Sequence, residues 1–166
     1  MENATKALMI TAGVLMGILI LSLGVYLYAT LSDYVSEQQS NMEMNANNKF
    51  NAQFYKYVNM TQDNNQRYKM DFEVTIQDII TVANLAYENN LKNNLTVNDA
   101  NENTLYVTVY AKLNGTGTLQ RIEDTINEKS TQYLNDNNRS KYQYKCYSKN
   151  IKVSNKTGRV YEITFE

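Results

Sequence analysis

LMITAGVLMGILILSLGVYLYATL, Leu8 to Leu31, decides how the rest of this 166-residue chain is read. No charged residue occurs from Ala7 to Ser32. As an α-helix rising about 1.5 Å per residue, the stretch spans roughly 36 Å, more than the about 30 Å of a bilayer's hydrocarbon core. It is expected to cross a membrane with some tilt. A core helix of a soluble protein rarely runs so long without a charge. The run is also about twice the usual 7–15 residues of a signal-peptide apolar region, and Leu27 two places before Ala29 makes a poor cleavage site. An uncleaved anchor is therefore expected.

Lys6 and the α-amino group precede the span, while Asp33 and Glu37 follow it. The positive side stays cytoplasmic, which puts the bulk of the chain outside. Gly13 and Gly17 form a G-x-x-x-G pair, and Gly24 lies on a similar face. Small residues at this spacing let membrane helices approach closely, so these three are the candidates for helix association. The plain alternative is that glycine is common in membrane helices. Lys6, Tyr26, Tyr28 and Tyr34 are expected at the membrane interfaces, the three rings forming an aromatic belt at the outer end.

The net charge of −1 and the lack of a basic stripe give nucleic-acid binding no electrostatic support. Histidine is absent, which removes His-based triads and His metal sites. The single cysteine, Cys146, cannot form an internal disulfide and sits among strand-like residues, where it reads as a small buried apolar side chain. Asparagine occurs 24 times. With abundant Lys, Ile and Tyr this reads as codon bias of an AT-rich genome, and the sequons at Asn59 and Asn94 as its by-products.

Beyond the span, residues 33–49 hold no Pro or Gly, so the helix is expected to continue as a stalk to about Asn45, the alternative being a polar linker. FNAQFYKYV, Phe50 to Val58, fits helical spacing and strand alternation alike. Asn59 to Lys69 reads as a polar loop. Residues 76–88 carry Ile76, Ile79, Ile80, Ala83, Ala86 and Tyr87 on one stripe, with Thr75 and Asp78 as a capping box and Asn89-Asn90 as a stop. LYVTVYAKL, Leu105 to Leu113, alternates as a strand with one buried and one half-polar face. Asn114-Gly115-Thr116-Gly117 reads as a turn, and a second helix is expected over 119–134, capped by Thr118. Tyr142 to Val153 and Val160 to Phe165 read as a hairpin with a bulge near Ser148 to Asn150. The expected fold class is α+β: a long N-terminal transmembrane and stalk helix, then a small antiparallel sheet with two helices. The organisation is 1–32 anchor, 33–49 stalk or linker, and 50–166 extracytoplasmic α+β head.

No catalytic constellation stands out, and no cofactor, metal or small-molecule substrate is implied. Glu123, Asp124 and Glu128, beside Arg121 and Lys129, read as a solvated helix face. The loops at Asp63-Asn64-Asn65 and Asn98 to Glu102 are rich in oxygen but do not match a calcium loop with its central Gly and terminal Glu. Tyr106, Tyr110, Tyr142 and Tyr144 fit an exposed sheet face that contacts other proteins, and fit ordinary strand positions as well.

The opening MENATKALMITAGVLMGILILSLGVYLY, with FNAQFYKY and IQDIITVANLAYENN further on, resembles small single-pass membrane proteins of low-GC Gram-positive bacteria, some linked to type IV filament or Tad-like secretion systems. The likeness covers the first 30 residues well and residues 50–90 loosely. The layout is similar to a pilin, in which the apolar helix waits in the membrane and later forms the filament core. The prepilin cleavage pattern is missing: Glu2 is the only acid before the span, and nothing short and basic precedes it. The resemblance implies a pilin-like structural subunit or secretion-apparatus component, without enzymatic activity, whose partners are the membrane and copies of itself or related subunits. The alternative is an anchored extracytoplasmic module that binds or senses a ligand or wall polymer.

Overall fold

A computed structural model describes residues 2–113, 118–135 and 143–166. The chain divides into two compact units, Met1–Asn45 and Ala46–Glu166, here termed the anchor and the head. Helix α1 runs from Glu2 to Tyr55 and supplies all of the described anchor. The stretch 33–49 is therefore helical rather than a linker, because nothing between Asp33 and Lys49 interrupts the backbone hydrogen bonding.

Within the head, the end of α1 carries Phe50 and Phe54, whose rings lie 5.1 Å apart, and Phe54 is fully buried. Helical spacing thus prevails over alternation in this segment. Tyr57 follows the helix and meets Phe165 edge-on at 6.5 Å.

The segment expected to be a polar loop forms a small hairpin, β1 (Met60–Gln62) paired antiparallel with β2 (Tyr68–Met70). Its turn is organised by Asp63, whose Oδ1 accepts the backbone N–H groups of Asn65 and Arg67, both at 2.8 Å. Gln66 adopts φ 60° in that turn. The strands escape pattern reading because each is three residues long and faces mostly outward.

Helix α2 (Ile76–Lys92) begins with the expected capping box: Asp78 N–H reaches Thr75 Oγ1 at 3.4 Å, and Thr75 N–H reaches Asp78 Oδ2 at 2.9 Å. Ile76, Ile79, Ile80, Val82, Ala83 and Ala86 are buried. Each Ile or Val so placed contributes about 1.5–3 kcal/mol relative to exposure. The helix does not stop at Asn89-Asn90. Asn90 Nδ2 donates to Val107 O at 2.9 Å, and its Oδ1 accepts Val107 N–H at 2.8 Å, so the amide stands in for a neighbouring strand.

The main sheet has four strands in the order β4-β3-β6-β5. These are β3 (Thr108–Lys112), β4 (Leu119–Arg121), β5 (Ile151–Val153) and β6 (Val160–Phe165). The outer pairs are antiparallel, but the central pair β3–β6 is parallel, with Val109 opposite Ile163. The expected antiparallel sheet is therefore a mixed one. The two longest strands take the centre, each with one face buried, through Val109 and Ala111 on β3 and Ile163 and Phe165 on β6. At the start of β3 the second face is closed too, since Tyr106 and Thr108 are buried along with Val107 and Val109.

The expected helix over 119–134 is divided. Leu119–Arg121 pairs with Tyr110–Lys112 as β4, and α3 begins only at Ile126 and ends at Asn135. Ile122 N–H continues the ladder to Val109 O at 3.0 Å. Of the expected apolar stripe of Leu119, Ile122, Ile126 and Tyr133, the last three are buried, although Ile122 stands outside the helix, while Leu119 on β4 is exposed. In the C-terminal part, the expected bulge at Ser148–Asn150 is a 3-10 turn, and the register irregularity falls between Lys152 and Val153. The turn expected at residues 114–117 lies outside the described residues.

Candidate membrane anchor and head sites

By length and composition α1 is long and apolar enough to cross a membrane, and its large apolar side chains between Leu8 and Leu31 are exposed. Its backbone groups are satisfied within the helix, as hydrocarbon requires. Thr11, Ser22 and Thr30 turn their hydroxyls back to the carbonyls of Ala7, Ile18 and Tyr26 at 2.9, 2.8 and 3.0 Å. These polar groups therefore demand no water. Gly13, Gly17 and Gly24 fall within about 40° of one another around the axis, at about 100° per residue. A Cβ built on any of the three meets nothing within 4 Å.

Tyr26, Tyr28 and Tyr34 are all exposed. Tyr26 and Tyr34 stand about 12 Å apart along the axis, roughly twice one headgroup layer. On an upright helix Tyr26 and Tyr28 fit that layer together, while Tyr34 stands beyond it. Lys6 pairs with Glu2 at 3.0 Å, an exposed i,i+4 contact.

In the head, the tyrosines expected on an exposed face are distributed otherwise. Tyr106 is 3% exposed and Tyr144 is 1% exposed, so neither presents a contact surface. Tyr106 is consumed by a polar network under β3, and Tyr144 by the core, where it bridges to Val74. Tyr110 remains half-buried, with the Arg121 guanidinium 5.8 Å from its ring centre. Tyr142 lies outside the described residues.

Glu123, expected on a solvated helix face, is fully buried in the β4–α3 connection. Its Oε2 accepts Val109 N–H at 2.9 Å, and its Oε1 accepts the Tyr106 hydroxyl at 3.2 Å and faces Arg121 Nε at 3.4 Å. Burial pushes the Glu123 carboxyl above its ordinary pKa, against the Val109 N–H and the Arg121 charge. Burial and the adjacent Glu123 likewise raise the Tyr106 phenol. The network ties the start of β3 to β4 and borders a cavity of about 220 Å³ rimmed by Tyr87, Leu91 and Val97.

Cys146 is buried as expected, and burial together with the Glu166 charge pushes its thiol up to about 12. Of the oxygen-rich loops, Asp63 is spent on its own turn. Asp99 accepts Thr96 N–H at 2.8 Å and Thr96 Oγ1 at 3.0 Å, bonds that lower its pKa.

A third cluster has no counterpart among the sequence expectations. Asn47 Nδ2 donates to Thr157 O at 2.9 Å and Asn51 Nδ2 to Gly158 O at 2.8 Å, while Asn51 Oδ1 accepts Val160 N–H at 2.8 Å. The two asparagines sit four apart on α1 and grip the β5–β6 turn. Next to them the Arg159 guanidinium lies 3.7 Å from the Phe50 ring centre and donates to Asn89 Oδ1 at 3.1 Å. A cavity of about 270 Å³ opens here, lined among others by Phe50, Gln53, Glu88, Lys92 and Arg159. The available signal was the i,i+4 spacing of Asn47 and Asn51 interleaved with Phe50 and Phe54.

No protein-family model, no curated protein and no solved structure matches this chain.

Proposed function

We infer that this chain is a single-pass, membrane-anchored, pilin-like structural subunit of a surface filament or secretion apparatus. The observation that supports the reading is the exposed, uncharged surface of α1 from Ala7 to Ser32, borne on a helix that ends in a separately packed α+β head. Such a surface needs lipid or other apolar helices around it. The glycine flank of Gly13, Gly17 and Gly24 has the open space for close helix contact. In this reading the N-terminus is cytoplasmic, the head lies outside, and the chain acts through contacts with its own kind rather than by catalysis.

Orientation is tested by labelling intact cells with a membrane-impermeant maleimide. The variants are Lys6→Cys and Glu37→Cys, and the unchanged chain, with Cys146 buried, is the blank. Labelling of Glu37→Cys alone is expected; labelling of Lys6→Cys alone overturns the orientation. Negative-stain microscopy of the host's surface material, with intact-mass analysis of the chain, tests assembly. Filaments containing it are expected, and Gly13→Leu with Gly17→Leu should abolish them. A full-length chain confined to the membrane fraction as a monomer overturns the subunit reading.

A second reading, an anchored binding or sensor module, is favoured by the cavity beside Arg159.

A further inference from the structure

Arg159 is held in an unusual electrostatic position. The ion pairs among the described residues are Lys6–Glu2, Arg121–Glu123 and Lys152–Glu162, and none includes Arg159. Its side chain donates to one neutral acceptor, Asn89 Oδ1, and stacks on Phe50. Its Nε is buried with no acceptor among the described residues. Burial pulls its pKa below the ordinary arginine value. Arg159 is half-buried, so its guanidinium is only partly withdrawn from water, and an arriving anion offsets that partial loss of hydration.

The surroundings narrow the anion. Lys92 lines the same cavity of about 270 Å³ and adds a second positive charge, so that with the Glu88 carboxylate also in the lining the cavity keeps one positive charge in excess. Phe50 covers one face of the guanidinium, Nε is buried and Nη2 is engaged by Asn89, so recognition falls to the Nη1–Nη2 end of the plane. A planar edge with parallel N–H donors matches a carboxylate. Gln53, Asn89 and Asn93 surround it with amides suited to the body of a small polar ligand. We propose that this cavity is a binding site for a carboxylate group, held by Arg159 with Lys92 as the supporting charge. The site does not depend on whether the chain assembles into filaments.

The test is a titration of the full chain in detergent micelles, followed by NMR of the arginine Nε–H and asparagine side-chain amide signals. Sodium acetate is the probe, and sodium chloride at equal ionic strength is the reference. Saturable shifts of the Arg159 and Asn89 signals with acetate alone are expected. Arg159→Lys, which keeps the charge and loses the fork, should weaken binding about tenfold. If that variant does not fold, Lys92→Gln on the exposed face of α2 serves instead, with weakening of about two- to fivefold, as for a solvent-screened charge. Trialanine with a free C-terminus, compared with its amide, distinguishes the sources: tighter binding than acetate assigns a chain end, weaker binding a small molecule, and both support the site. No saturable shift, equal shifts with chloride, or saturation by phosphate but not by acetate would overturn it.

Discussion

Asn59 should be among the most costly side chains in the head to remove. It is fully buried, and its amide makes three hydrogen bonds across the chain. Nδ2 donates to Phe72 O at 3.0 Å and to Tyr144 O at 2.9 Å, and Oδ1 accepts Cys146 N–H at 2.8 Å. One side chain thus joins the segment before β1, the segment after β2 and the stretch leading to β5. Asn59→Ala removes all three. Each such bond contributes about 1 kcal/mol net, and a buried donor left without an acceptor costs about 1–3 kcal/mol. The expected loss is about 3–5 kcal/mol, a large part of the about 5–15 kcal/mol that holds a typical domain. The assay is equilibrium unfolding of the full chain in micelles by urea, followed through tyrosine fluorescence. With a slope of about 1–3 kcal/mol/M, the midpoint should fall by at least about 1 M. Asn64→Ala, on the exposed β1–β2 turn, is the control and should stay within about 0.5 kcal/mol. An Asn59→Ala midpoint indistinguishable from that control would refute the reasoning.

Three further outcomes follow from particular sites. Glu123 has a folded-state pKa raised by burial, so its contribution to stability is complete below its unfolded pKa, about 4.3, and is lost as pH rises through the folded value; Glu123→Gln should flatten the melting temperature between about pH 4 and the folded value, and an unchanged profile would contradict this. Gly158 has φ +68°, and a Cβ there would lie 3.3 Å from Asn47 Nδ2; Gly158→Ala should therefore cost about 1–2 kcal/mol for the left-handed backbone, read as a melting point lower by several degrees. Cys146, buried and with its thiol pushed up to about 12, should resist a thiol reagent at pH 8 in the native chain and react fully in urea; stoichiometric native labelling would refute the burial.

What could be read from the sequence was what repeats with a period. The span announced itself by length, α2 by the stripe from Ile76 to Tyr87 together with the Thr75–Asp78 box, and β6 by Val160 to Phe165. These features are local, so a single stretch of chain carries the whole signal. Elements of three residues carry too little of any period, which is why β1, β2 and β4 were hidden. In 119–134 the apolar spacing of Ile122, Ile126 and Tyr133 served two elements at once, and only the pairing of Leu119–Arg121 with β3 separates them. The asparagines were misread for a different reason. Composition explained their number, yet Asn47, Asn51, Asn59, Asn89 and Asn90 each bind backbone groups far along the chain. Glu123 and Arg159 belong to the same class, because a charge's environment is set by distant segments that no window of sequence contains.

The parallel pairing of β3 with β6 also fixes when the head can form. Thr108 lies opposite Glu162, and Ala111 opposite Phe165, so the middle of the sheet joins segments more than fifty positions apart. Contacts of such long range are slow to close, because the intervening chain must first be gathered in. During synthesis Phe165 follows Ala111 by 54 residues, a delay of roughly 3–11 seconds at about 5–20 residues per second. For that interval Val107, Val109 and Ala111 have no central neighbour, and β3 is an open edge. A nascent chain stalled before Val160 would hold an inserted helix and a sheet without its middle strand, the form in which this protein is most exposed to proteolysis and misassembly.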